Sequence, residues 1–68
     1  MEFNIKITYN DGTIFYNRSF YFDMNKDFFE FSSCEDGICY SINLDDIIQI
    51  TISYHMDNTD FIVYQYFN

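Results

Sequence analysis

Apolar and polar residues alternate with a period of two along most of this chain. In the opening segment EFNIKITY, Phe3, Ile5, Ile7 and Tyr9 fall on one side and Glu2, Asn4, Lys6 and Thr8 on the other, the pattern of a half-buried β-strand. Asn10-Asp11-Gly12 follows, and glycine after Asn or Asp accepts the positive φ that a tight hairpin turn requires. The spacing then predicts a second strand from Thr13 to Phe22, a polar turn over 23–27, a third strand in FFEFSSC (28–34) and a fourth in ICYSINL (38–44), around the turn Glu35-Asp36-Gly37. A short connection at 44–46 leads to a fifth strand, IIQITISYHM (47–56), with Ile48, Ile50, Ile52, Tyr54 and Met56 on one face. The last turn falls at 57–60 and the last strand at 61–67. No window carries a helical period and no proline interrupts a strand. The expectation is a single all-β domain over 1–68, an antiparallel six-stranded meander forming a curled sheet or a small barrel.

The two faces of such a sheet are both too apolar for one to be left in water. Phe29, Phe31, Ile38, Tyr40, Ile42 and Leu44 mark an evident core face, yet the opposite parity carries Phe15, Tyr21, Phe28, Ile47, Ile62, Tyr64 and Tyr66. Either the sheet closes on itself with some aromatics outside, or a second copy or a partner covers a face or an edge. At 68 residues the chain buries only about 60% of the surface its unfolded form exposes. Its whole stability is then roughly 3–10 kcal/mol, which leaves little room for strained catalytic geometry. With 49% apolar and 24% aromatic residues the chain is too hydrophobic to be disordered. Its longest apolar runs are a few residues, too short for a membrane span or a signal-peptide core, so the expected location is the cytoplasm, that of a host cell if the protein is viral.

Charge changes the picture further. Eleven acids face only Lys6, Arg18 and Lys26, a net charge of −8. A surface of this sign repels nucleic acid and anionic lipid and attracts basic surfaces, above all nucleic-acid-binding grooves. In a meander alternate turns share an end, which would gather Asp11, Glu35, Asp36, Asp57 and Asp60 at one pole and Asp23, Asp27, Asp45 and Asp46 at the other. Turns favour Asp and Asn for backbone reasons, and that explains most of these positions. It does not explain the lack of compensating lysine.

Few residues suggest other chemistry. Cys34 and Cys39 stand either side of the Asp36-Gly37 turn. A two-residue turn would set them directly opposite, where free thiols or a strained cross-strand disulfide are both open, whereas a glycine bulge would shift the register and splay them. No second Cys pair or His stands at metal-ligand spacing. Asp23, Asn25 and Asp27 imitate the start of a calcium loop, but Phe28 replaces the required glycine and Cys34 the closing glutamate. His55 is the only histidine, and neither Ser53 nor Cys34 can be tied to it as a nucleophile. Arg18 interrupts the apolar parity of the second strand, which predicts a bulge there or a salt bridge to a rim acid. No catalytic residue, metal site or cofactor is expected.

In size, charge and composition the chain resembles the small acidic phage-encoded inhibitors of host defence, the anti-CRISPR and anti-restriction proteins, several of which mimic DNA. The resemblance rests on no alignable motif and carries no residue over. It implies a non-enzymatic binding protein whose carboxylates stand in for phosphates on a basic, nucleic-acid-handling host protein. On this reading Asp11, Glu35, Asp36, Asp57 and Asp60 make the partner contacts and Tyr64 and Tyr66 anchor them. No direct contact with nucleic acid or membrane is expected. The alternative is a small β accessory or structural phage protein that self-assembles as a homodimer through its second apolar face.

Overall fold

The computed structural model describes residues 2–68. Six strands form, β1 (Phe3–Tyr9), β2 (Ile14–Met24), β3 (Phe28–Ser33), β4 (Cys39–Asn43), β5 (Ile47–Met56) and β6 (Thr59–Phe67), with one turn of 3-10 helix, Leu44–Asp46, between β4 and β5. All neighbours pair antiparallel in one sheet. The all-β domain expected from the alternation is therefore present, and its sheet is curled but open, with β4 and β6 as edges.

The strand order is β4-β3-β2-β1-β5-β6, which departs from a meander in one place: β5 pairs with β1 instead of β4. Four strand spacings separate β4 from β5, about 19 Å if the sheet were flat. The four residue steps from Asn43 to Ile47 reach at most about 14 Å, and β4 and β5 run in the same direction, so the sheet has to roll up to let the chain cross. The 3-10 turn holds that roll at three points. Asn43 caps it by accepting the Asp45 N–H, the Leu44 N–H donates to the Asp27 carbonyl, and the Asn10 N–H donates to the Asp46 carbonyl, each at 2.9 Å. The Leu44 side chain is buried beneath it.

Three register shifts decide which side chains the roll encloses. Between Thr8 and Tyr9 the pairing of β1 with β5 skips Ile48, so Ile47 as well as Ile50 and Ile52 points inward and Ile48 is exposed. Between Ser19 and Tyr21 the pairing of β2 with β3 skips Phe20, and between Ile52 and Ser53 the pairing of β5 with β6 skips Val63. Each extra residue inverts the parity beyond it. This corrects the expected faces. Ile47 is core and Ile48 is not, while Ile38 and Tyr40 lie on or beside the β4 edge, exposed.

The enclosed core is Ile5, Ile7, Phe29, Phe31, Leu44, Ile47, Ile50 and Ile52. Its β1–β5 half is isoleucine, with Ile5 opposite Ile52 and Ile7 opposite Ile50. Its β2–β4 half is aromatic: Phe3 meets Phe22 edge-on at 5.2 Å, Phe29 stacks on Phe31 at 5.7 Å, and Phe31 stacks on Tyr40 at 5.3 Å. The bend in β2 is built around Ser19, fully buried. Its hydroxyl reaches the carbonyls of Tyr21 and Ser32 and accepts the Tyr21 N–H, meeting the backbone groups that the bulge takes out of the ladder.

Candidate interaction surface

The rolled sheet sorts its connections into two ends. At one end lie the β1–β2 turn, the β2–β3 turn and the 3-10 turn, joined by the Asn10 and Asp27 bonds above and by Asn10 Nδ2 to the Asp45 carbonyl. At the other end lie the start of β1, the β3–β4 turn and the β5–β6 turn: the Cys34 N–H donates to the Arg18 carbonyl, Arg18 is opposite Asn4, and Asn4 is opposite Ser53.

Of the five acids expected at one pole, four share this second end: Glu35, Asp36, Asp57 and Asp60. Asp11 does not. Because β5 returns to β1, the 3-10 turn comes to rest beside the end of β1, and Asp11 joins Asp46 there around Tyr9. That phenol is held above its ordinary pKa by partial burial and then by the charges of Asp46 and Asp11. Asp11 is also occupied, since its Oδ1 accepts the Thr13 N–H, which holds its carboxyl below the usual range.

The four acids that do share an end differ in what they are free to do. Asp36 Oδ1 accepts the Ile38 N–H and Oδ2 accepts the Tyr40 hydroxyl. That hydroxyl bond is the first cause of the low pKa of Asp36 and of the raised pKa of Tyr40. Asp60 Oδ1 lies 2.8 Å from Nδ1 of His55. Glu35 and Asp57 have no ion-pair partner among the described residues. Glu2, which the alternation does not single out, joins them: it lies 3.7 Å from Arg18 and helps to raise the pKa of Cys34 after desolvation, the larger cause. The two shallow hollows flanking β1 are lined by Asn4, Arg18 and Glu35 on one side and by Glu2, Asn4 and His55 on the other. Among the described residues of this end, Arg18 is paired with Glu2 and His55 bonds Asp60.

The aromatic candidates separate in the same way. Tyr66, opposite Ile50, packs against the core, whereas Tyr64, opposite Ile52, is 38% exposed. Beyond Ile52 the inner face of the β5–β6 hairpin runs past the core, where Tyr54 and Phe61 stack on one another at 5.2 Å. With Tyr64, Ile62 and Val63 exposed nearby, an apolar strip adjoins the acidic end.

The remaining motifs resolve into local structure. Cys39 is opposite Ser32, not Cys34, because the Gly37 N–H closes back on the Ser33 carbonyl and Gly37 takes φ +72°. The glycine thus shifts the register, and both thiols are free. In the calcium-like turn, Asn25 Oδ1 accepts the Asp27 and Phe28 N–H groups, so that oxygen faces the backbone. Arg18 satisfies both expectations placed on it, one residue before the bulge and paired with Glu2. His55 bonds Asp60. No three His, Cys, Asp or Glu side chains among the described residues converge to hold a metal ion, and no helix is long and apolar enough to cross a membrane. No protein-family model matches this chain, and no curated protein and no solved structure is found to be similar to it.

Proposed function

We propose that this protein is a non-enzymatic inhibitor of the phage type, which sets its acidic end against the basic, nucleic-acid-binding surface of a host defence protein. The observation that carries this reading is the convergence of Glu2, Glu35, Asp36, Asp57 and Asp60 from three separate segments onto one end of a rigid sheet, with Arg18 and His55 already paired there. Carboxylates held on strands and tight turns lose little conformational freedom when they replace phosphates in a basic groove. Tyr64 and Phe61, exposed beside them, supply the ring surface that such contacts need to become specific.

The test is capture on the immobilised protein from nuclease-treated extract of its native host, at about 50 mM salt, where exposed charges act over more than 10 Å. The proteins retained should be nucleic-acid binders, should be displaced by added duplex DNA or RNA, and should elute by about 0.5 M salt. Glu35→Lys with Asp57→Lys should abolish retention. Retention that survives both the added nucleic acid and the charge reversal would remove the electrostatic basis of this reading.

A further inference from the structure

We propose that two copies of this chain pair edge to edge through β6, antiparallel about a two-fold axis, extending the sheet from six strands to twelve. This does not rest on the function proposed above: it is argued from the β6 edge rather than from the acidic end, although Phe61 and Tyr64 border both.

The reasoning starts from the two edges of the open sheet. An exposed edge strand offers unpaired N–H and C=O groups to any other strand, and proteins usually blunt such edges with shortness, lysine, proline or a β-bulge. The β4 edge is blunted by length, having five residues, and Tyr40 on it is tethered to Asp36. The β6 edge has nine residues, all but Tyr66 exposed, and neither lysine nor proline; its one blunting feature is the bulge at Val63, which leaves the four residues Tyr64 to Phe67 as an unbroken stretch. Nine residues span about 30 Å, close to the 35 Å length of the whole molecule.

Charge selects the occupant. The chain carries −8 overall, yet Phe61 to Phe67 contains no charged residue at all. A basic partner finds its counter-charges on the turns, not along this strand. A second copy, which the net charge repels everywhere else, meets no like charge here. Antiparallel pairing also sends the Asp60 residues of the two copies to opposite ends of the contact, whereas parallel pairing would place them side by side.

Size sets the strength. Phe61, Tyr64 and Phe67 are 39%, 38% and 65% exposed, which at about 200 Å² per ring leaves about 280 Å² uncovered before Ile62, Val63 and the strand edge are added. A standard interface hides about 800 Å² per partner. The geometry therefore points to a weak dimer that forms at high protein concentration and tightens when salt screens the repulsion between copies.

The experiment is sedimentation equilibrium at rising protein concentration in about 0.5 M salt, with Val63→Lys as the variant. The wild-type chain should approach twice its 8.3 kDa mass. Val63 is 44% exposed, so the lysine should leave the circular dichroism spectrum unchanged. It makes the net charge less negative, so if bulk charge governed association the variant would associate more; blocked edge pairing predicts a monomer throughout. Amide exchange of Phe61 to Phe67 in the wild-type chain, which needs no variant, should slow as concentration rises. A wild-type monomer at every concentration, a dimer that Val63→Lys leaves intact, or concentration-independent exchange along β6 would each overturn the proposal. Salt has opposite signs in the two tests: it strengthens this pairing and weakens the binding proposed above, so either can fail alone.

Discussion

The β3–β4 hairpin turns inward on its own groups. Asp36 is bonded to Ile38 and Tyr40, the Tyr40 ring stacks on buried Phe31, and the Cys34 amide is fixed to β2. The β5–β6 hairpin is made of the same residue types, an acid at the turn and Tyr, Phe and Ile on the strands, and apart from the contact of Asp60 with His55 leaves them open. Asp57 and Asn58 form a two-residue turn with φ +54° and +61°, Tyr54 and Phe61 stack only on each other, and the far edge of β6 is bare. Composition alone does not distinguish them. What separates them is whether the hairpin lies over the core or runs past it, and that follows from where β5 stops pairing with β1.

The largest effect should come from uprooting the first hairpin. Phe31→Ala removes a fully buried ring that touches Phe15, Phe29 and Tyr40 and should cost about 3–5 kcal/mol, most of the stability of a chain this size, so thermal melting should find it largely unfolded. Tyr64→Ala, on the second hairpin, should stay within about 1 kcal/mol of the parent. Equal losses would erase the contrast. Ser19→Ala comes next: it orphans the buried groups at the bend that lets β3 and β4 fold over the core, and should lower stability by about 1–3 kcal/mol in urea titration.

The turns sharpen the comparison at smaller scale. Gly37→Ala has open space for its methyl group but keeps φ +72°, so it should cost about 1 kcal/mol through the backbone alone. Asn58→Gly should stabilise by some tenths of a kcal/mol, because glycine accepts the φ of +61° freely. The smallest effect is with pH. Asp36 titrates below its ordinary value near 3.8 in the folded chain, so its contribution is complete above that value and fades as pH falls through the lower, folded one. Tyr40 is raised above its ordinary 10, so its contribution is complete below 10 and fades as pH rises beyond. The protection of the Ile38 amide, its exchange rate relative to an unprotected amide at the same pH, should therefore be greatest between these limits and fall on acidification. Ile38 protection that does not change on acidification would refute the idea that the Asp36 carboxylate holds its own turn.

Alternation places all six strands and most of the core legibly in the sequence. It fails where parity inverts, and each failure has a visible mark. The three skipped residues, Ile48, Phe20 and Val63, all lie in uninterrupted apolar runs: Ile47-Ile48, Phe20-Tyr21-Phe22 and Phe61-Ile62-Val63-Tyr64. A run with no polar residue tells a strand nothing about which side to bury, and there the chain can take an extra residue at small cost. Glu35, Asp36, Asp57 and Asp60 share an end because β3 pairs only with the second half of β2, which sets the β3–β4 turn level with the start of β1, and β5 runs back antiparallel to β1. The alternation misses that Asp11 lies at the opposite end of β1 from Glu2, because that depends on the stagger of β1 and β3 along β2 and on the return of β5 to β1, which no local pattern encodes.

That return also orders events as the chain leaves the ribosome. β1 precedes β5 in the chain, so one side of it stays unpaired until Ile47 to Ser53 are made. Until then Ile5 and Ile7 lack the isoleucines opposite them, and closing the loop between β1 and β5 carries an entropic cost that the local hairpins do not.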